Sequence, residues 1–356
     1  MRPVRPLAGT PAEHGFSFPP EWHRHRATWI SWPRPEGISF PARHHEAIED
    51  IAGIIRTIVA HEPVHINVPN ANYERLVRAF LRARKVPLTR VAFHHIATNE
   101  CWTRDHGPAF VLRRRRGRTE AAIVDWGFNA WGGKYPPSDA DDEVPTRVAE
   151  ALGLPVFYPG VVMEGGAVDF NGAGTVLTTT SCLLNKNRNP GVSKSRLERY
   201  LRDYYGQQHV VWLGEGIDGD DTDGHIDDLA RFLDARTIAI GMERDPADAN
   251  FERLRENRAR LSRARDERGR PFRVLELPMP RAVVHEGQRL PATYLNFYFV
   301  NGALLVPTFG QRTRDAQAVA SLQKHLPRRR VIGVDCRALI WGLGAVHCLT
   351  QQQPRF

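Results

Sequence analysis

The chain has 356 residues and carries 49 Lys plus Arg against 40 Asp plus Glu, a net charge of +9. Its length exceeds one ordinary core and calls for two domains or one large repetitive domain, while 42% hydrophobic and 25% charged residues exclude a disordered chain. No apolar run approaches the ~18 residues of a membrane span, and Met1 to Phe18 holds no signal-peptide core, so a cytoplasmic location is expected.

In chain order, Ala27 to Trp32 reads as a short apolar strand stopped by Trp32-Pro33. Ala42 to Ala60 reads as a helix, with Ile48, Ile51, Ile54, Ile55 and Val59 at helical spacing. A strand at Val64 to Val68, a helix at Tyr73 to Ala83 and a strand at Val91 to His95 follow. Hairpins then take over. Ala109 to Arg113 pairs with Ala121 to Trp126, and Ala167 to Phe170 with Thr175 to Thr179 across Asn171-Gly172. Leu229 to Leu233 pairs with Thr237 to Gly241, and Tyr294 to Val300 with Ala303 to Val306 across Asn301-Gly302. Helices are predicted at Val144 to Leu152, Ser193 to Tyr205, Ala247 to Ala264 and Ala316 to His325.

Hairpins recurring every ~50 to 70 residues with helices between predict one cyclic α/β repeat architecture, with strand ends converging on a central channel. One domain is therefore expected over residues 19–356, preceded by a polar N-terminal tail over residues 1–18. The basic runs Arg113 to Arg116 and Arg328 to Arg330 fall at a hairpin tip and a strand entry, without interleaved aromatics, so no nucleic-acid partner is expected. The four cysteines, Cys101, Cys182, Cys336 and Cys348, lack metal-type spacing and read as free thiols.

Candidate chemistry lies in four clusters. Asp220-Asp221-Thr222-Asp223-Gly224-His225-Ile226-Asp227-Asp228 crowds acids around one imidazole and calls for a cation. If His225 opens a strand, alternation places it on the same face as Asp227. The bland alternative is a polar loop of turn-forming residues. Trp102 to Pro108 presents Trp102 and Arg104 on one face of a strand and Asp105 on the other, or else Asp105 merely caps a turn. Glu164-Gly165-Gly166 precedes a hairpin, where glycines allow close approach of a ligand but are also common for steric reasons alone. Gly342 to Pro354 places Cys348 at a strand edge. An isolated cysteine is more often a buried structural residue, whereas one with His and carboxylates available is a candidate nucleophile.

With these residues in hand, the chain resembles the agmatine deiminase and bacterial-type peptidylarginine deiminase family. The resemblance runs in order through Pro19-Pro20-Glu21-Trp22, Trp102 to Pro108, Glu164 to Pro190, Gly216 to Phe232, Tyr294 to Gly310 and Gly342 to Pro354. It implies the pentein fold, a five-bladed β/α propeller with pseudo-fivefold repeats around a central active-site channel. It implies Cys348 as nucleophile, His225 as general acid and base, and Asp105 and Asp227 as the carboxylates that grip a guanidinium. Trp102 would be a pocket wall and Glu164 a residue near the site. Asp221, four residues before His225, would receive the distal amine of agmatine. Relatives often carry Glu there, and often read Gly-Gly-Gly-Asn where this chain reads Gly342-Leu343-Gly344-Ala345; both changes bear on substrate choice.

The implied reaction hydrolyses agmatine to N-carbamoylputrescine and ammonia, as in putrescine biosynthesis, through a covalent thiouronium on cysteine and with no metal or cofactor. Three rivals accompany it: deimination of peptidyl-arginine or another guanidino compound, a non-catalytic guanidine-binding protein, and a manganese ureohydrolase using Asp223, His225 and Asp227 as ligands. The last assigns no task to Cys348. The expected partner is a small guanidino substrate, with the oligomeric state left open.

Overall fold

The structure is a computed structural model and describes residues 4–356. Five sheets repeat one pairing, in which two strands pair antiparallel and a third, reached through a helix, pairs parallel with the second; in four of them a turn joins the antiparallel pair. Ala109–Arg115, Arg118–Val124 and Pro155–Phe157 form one such unit. Val168–Phe170, Thr175–Thr179 and His209–Leu213 form the next, followed by Ala230–Asp234, Thr237–Met242 and Arg273–Pro278. Tyr298–Val300, Ala303–Thr308 and Arg330–Asp335 make a fourth. In the fifth, Thr350–Pro354 from the C-terminus pairs antiparallel with His25–Ser31, which continues into Val64–Val68 and Val91–His95. A C-terminal strand is thereby joined in one sheet to a strand from early in the chain. The result is a mixed α/β fold.

Local chemistry explains the elements. The helix His44–Val59 buries Ala47, Ile51, Ile54, Ile55 and Ile58, one apolar stripe at helical spacing, while Ile48 sits half-buried at its edge. Ser193 starts the helix Lys194–Tyr205, its hydroxyl accepting from the Arg196 amide at 3.3 Å, and Gly206 ends it in the left-handed region. The Arg-rich tip of the first hairpin is a two-residue turn with Arg116 and Gly117 both left-handed, the geometry that suits strand twist.

Three readings change. Residues 4–18 are not a free polar tail: Arg5–Pro6 pairs with Pro155–Val156, Ser17 bridges to Leu112, and Phe16 and Phe18 are buried, because aromatic side chains there find the space beside Phe157, Phe170 and Tyr205. Residues 1–3 of that segment lie outside the described residues. The strand expected from Tyr294 begins only at Tyr298, since the preceding residues turn inward. A two-stranded hairpin, Val283–His285 with Gln288–Leu290, was not foreseen. Among the described residues, no helix is long and apolar enough to cross a membrane.

In four of the five units the first strand is entered through a short helical turn. Thr103–His106, Gly165–Ala167, Ile226–Asp228 and Val346–Leu349 are single helical turns immediately before or nearly before Ala109, Val168, Ala230 and Thr350. These turns carry Asp105, Gly166, Asp227 and Cys348.

Candidate active site

The helical turns bring Asp105, Gly166, His225, Asp227 and Cys348 together. Asp105 is fixed from two sides, its Oδ1 accepting from the Gly166 amide and its Oδ2 from Trp131 Nε1, both at 2.9 Å. His225 Nδ1 lies 3.6 Å from Asp105 Oδ1 and 3.9 Å from Asp227 Oδ1. The Cys348 sulfur is 3.6 Å from Asp227 Oδ2 and accepts from Asn296 Nδ2 at 3.0 Å. Asn296 Oδ1 in turn takes the amides of His347 and Cys348, at 2.9 and 3.3 Å.

None of these segments is the strand that alternation predicted. His225, Ile226 and Asp227 enter a 3-10 turn, Asp105 sits on a helical turn, and Cys348 lies on the turn before its strand. Backbone geometry explains the first: Asp223 and Gly224 are left-handed, and a Cβ at Gly224 would fall 2.4 Å from Ser181 Oγ. Asp220 then captures the His225 amide at 3.0 Å, so one of the crowded acids serves to fold the loop. Capture of two successive amides by Asn296 bends the chain at Cys348 in the same way.

A cavity of about 250 Å³ opens onto this cluster. Trp102, Asp105, Trp131, Tyr135, Asp221 and Cys348 are among its lining residues. Trp102 is held by an Nε1 bond to Ser39 Oγ at 2.9 Å and lies flat against Gly344, where a Cβ would sit 2.5 Å from the ring. Asp221 faces the cavity with its carboxylate bonded to the Tyr135 hydroxyl and its carbonyl to Lys134. His225 and Asp227 are fully buried behind the wall that Asp105 and Cys348 form. Glu164 does not line the cavity. Its Oε1 accepts from Arg188 Nε at 2.7 Å, and its other oxygen has no hydrogen-bond partner among the described residues; a carboxylate oxygen of Glu164, Cys182 Sγ and a His225 ring nitrogen lie within 4.8 Å of one another.

Several contacts were not foreseen from sequence. Trp131, which bonds Asp105, stands in a chain region without a motif, and Asn296, which bonds Cys348, lies in the matched stretch Tyr294 to Gly310 without having been singled out; Asp228 and His347 lie beside residues already singled out, and adjacency was the only signal for them. The manganese ligand set does not assemble. Asp223 turns away to Arg188, to Asn187 at 2.9 Å and to Lys134 at 2.9 Å. Among the described residues, the groups whose geometry could take an ion are Glu164, Cys182 and His225, and Asp227, Asp228 and Cys348, neither of which contains it.

Burial, followed by Asp227, Asp228 and Asp105, pushes the Cys348 thiol well above its ordinary range. His225 is raised although burial opposes its charge, because Asp105, the Cys182 thiol and Asp227 surround it. Burial also raises Asp105, Asp220 and Asp228. Asp227 is lowered against the same burial, chiefly by its bond to His347. The site thus gathers an excess of acids around a thiol whose ionisation burial and those acids disfavour.

Cys101, Cys182 and Cys336 are buried without exposure, whereas Cys348 is 5% exposed and borders the cavity. Iodoacetamide is expected to label Cys348 first, at a rate that keeps rising with pH beyond the ordinary thiol range, since the nucleophilic thiolate forms late here. Mass spectrometry of timed samples checks both; another cysteine labelled first would remove Cys348 from its assigned role.

The family model described as Porphyromonas-type peptidyl-arginine deiminase matches residues 17–354. An agmatine deiminase of Ectopseudomonas mendocina is 36% identical over 372 residues, covering 98% of each chain. The solved agmatine deiminase of Enterococcus faecalis superimposes with a TM-score of 0.91 at 30% identity, over 99% of this chain and 100% of that one. An amidinotransferase from Microseira wollei, at 12% identity, TM-score 0.51 and 96% coverage of each, shares the fold alone. With a family model spanning nearly its whole length, the chain belongs to the Porphyromonas-type peptidyl-arginine deiminase family.

Proposed function

We propose that this protein is an agmatine deiminase, which hydrolyses the guanidinium of agmatine to N-carbamoylputrescine and ammonia. The observation that carries the reading is the convergence of a thiol, an imidazole and two carboxylates at one end of a cavity that has Asp221 on its wall. Residues 19–356 form one catalytic domain, and the five repeated sheets are the blades of a β/α propeller around a central channel. A cytoplasmic enzyme of putrescine formation suits this chemistry.

A guanidinium is planar and presents forked N–H donors, so Asp105 and Asp227 can hold it flat and charge-balanced. Its carbon is a poor electrophile because resonance spreads the charge, and a thiolate is the natural attacker. The cation cancels the carboxylate field that keeps Cys348 protonated, so binding of substrate itself favours the thiolate. Sulfur adds to the guanidinium carbon, His225 gives a proton to the departing amine, and ammonia leaves a thiouronium on Cys348. Water then adds to the same carbon, His225 takes a proton from it, and the C–S bond breaks to release the ureido product. Trp102 forms a wall beside the aliphatic chain. Asp221 pairs with the distal ammonium, and Glu164 acts from behind His225.

Agmatine is favoured over peptidyl-arginine because the carboxylate of Asp221 on the cavity wall matches a free terminal amine. A panel of agmatine, free arginine, guanidinobutyrate and a blocked arginine peptide, followed by ammonia release and a ureido colour assay, is expected to give the highest kcat/KM with agmatine. Preference for the peptide would replace the substrate; release of urea in place of ammonia would replace the reaction.

A further inference from the structure

Glu21, from the Pro19-Pro20-Glu21-Trp22 stretch, and His347 have no task in the reaction above, yet they meet directly beneath it. His347 is 2% exposed and lies between two carboxylates, its Nδ1 2.7 Å from Asp227 Oδ2 and its Nε2 2.7 Å from Glu21 Oε2. An ionised carboxylate can only accept, so a ring that serves both must donate from both nitrogens. Glu21 is itself fixed. Its Oε2 also accepts from Arg231 Nη2 at 2.8 Å, and its Oε1 takes the Phe299 amide at 2.8 Å. Arg231, wholly buried, donates to the Phe297 carbonyl at 2.9 Å and lies 3.3 Å from Asp169 Oδ1.

A row of alternating charge, Asp169, Arg231, Glu21, His347 and Asp227, therefore runs through the interior and ends at the reacting centre. Buried ions persist when each is paired, and removing one partner exposes the next. The consequence is local to Asp227. Its Oδ2 is held at 2.7 Å by His347 and only at longer range by Asn296 Nδ2 at 3.4 Å and the Cys348 sulfur at 3.6 Å, while its buried Oδ1 has no hydrogen-bond partner among the described residues and lies on the His225 side. A carboxylate without that tether could rotate and present either oxygen.

We infer that His347, backed by Glu21, is a positioning residue: it locks the Asp227 carboxylate so that Oδ1 is the atom offered to the guanidinium. This rests on the deiminase reading. Asp227 is faced by His225 and Asp228 from its own segment, by Asp105, Cys348 and Asn296 from the neighbouring turns, and more distantly by Asp220 and Arg231. In that largely acidic company, His347 is the first of the groups that hold Asp227 below the ordinary carboxylate range against burial. Loss of the tether lets Asp227 take up a proton at higher pH, and a protonated Asp227 no longer balances the substrate charge. The acidic limb of kcat/KM, a property of the whole cluster, then moves toward neutral pH.

The test uses His347→Gln and Glu21→Gln, each checked by thermal unfolding and assayed for ammonia from agmatine across pH. In His347→Gln, kcat/KM is expected to fall about 100-fold, the scale of a misplaced reacting group, with a smaller loss in Glu21→Gln. Both are expected to move the acidic limb upward by about one pH unit. A merely structural role would lower the melting temperature and leave the limb in place. Folded variants with wild-type kcat/KM and an unmoved limb overturn the inference, and Glu21→Gln decides if His347→Gln does not fold. A wild-type protein inactive on every guanidine tried overturns the deiminase reading and this inference with it; an active wild type with unaffected variants overturns the inference alone.

Discussion

Replacing Cys348 by Ser is expected to reduce agmatine turnover by roughly 10^4- to 10^6-fold, the scale at which loss of a covalent nucleophile leaves only binding and polarisation. Binding should survive, because Asp105 and Asp227 remain and a hydroxyl nearly replaces the thiol in volume. The Asn296 amide that donates to the sulfur at 3.0 Å can donate equally to a hydroxyl oxygen. Calorimetry with agmatine should therefore give a dissociation constant near that of the active protein, while ammonia release falls to background. Appreciable residual turnover would end the covalent mechanism. Loss of binding with folding intact would mean that the thiol itself is a principal substrate contact.

A second large effect is expected from Gly166→Ala, at a residue that performs no chemistry. A Cβ there would lie 2.6 Å from His225 Nδ1, 2.7 Å from Asp105 Oδ1 and 3.1 Å from Asp227 Oδ2. Those three groups are the ones proposed to act on the guanidinium, and none can move freely: Asp105 is bonded to Trp131, Asp227 to His347, and His225 through its amide to Asp220. The added methyl must therefore displace catalytic groups, and displacement of this size costs on the order of 100-fold in rate. Overpacking of a buried site should also lower stability by about 1–3 kcal/mol. Steady-state kinetics and thermal unfolding separate the two. Wild-type kcat/KM in the alanine variant would show that the cluster can spread without consequence, and would remove the close packing of these three groups from the mechanism.

How much of this was legible beforehand follows from which interactions are local. The apolar stripe of His44–Val59, the Ser193 cap, the left-handed Gly206 and the hairpin alternations are set by residues a few positions apart, so they can be read along the chain. The recurrence of hairpin and helix followed from the same short-range signals, and the order of motifs around Asp105, Glu164, His225 and Cys348 identified the family. Misreadings cluster where long-range contacts override local preference. Alternation suggested strands at His225 and Cys348, but Asp220 and Asn296 captured backbone amides and turned both segments into helical corners. The N-terminal segment looked polar and detached, but Phe16 and Phe18 found aromatic partners from three distant elements.

By itself, the sequence determined which chemical groups were available, the period of each helix and strand, and the family to which the chain belongs. Only the tertiary structure decided that Asp227 has one oxygen tethered and the other without a partner among the described residues, that Glu164 pairs with Arg188 near His225 and off the cavity wall, and that Asp223 leaves the group altogether. The reason is physical: hydrogen-bond assignment among buried groups depends on which side chains arrive from remote segments, such as Glu21 and His347, and no pattern of near neighbours records their arrival.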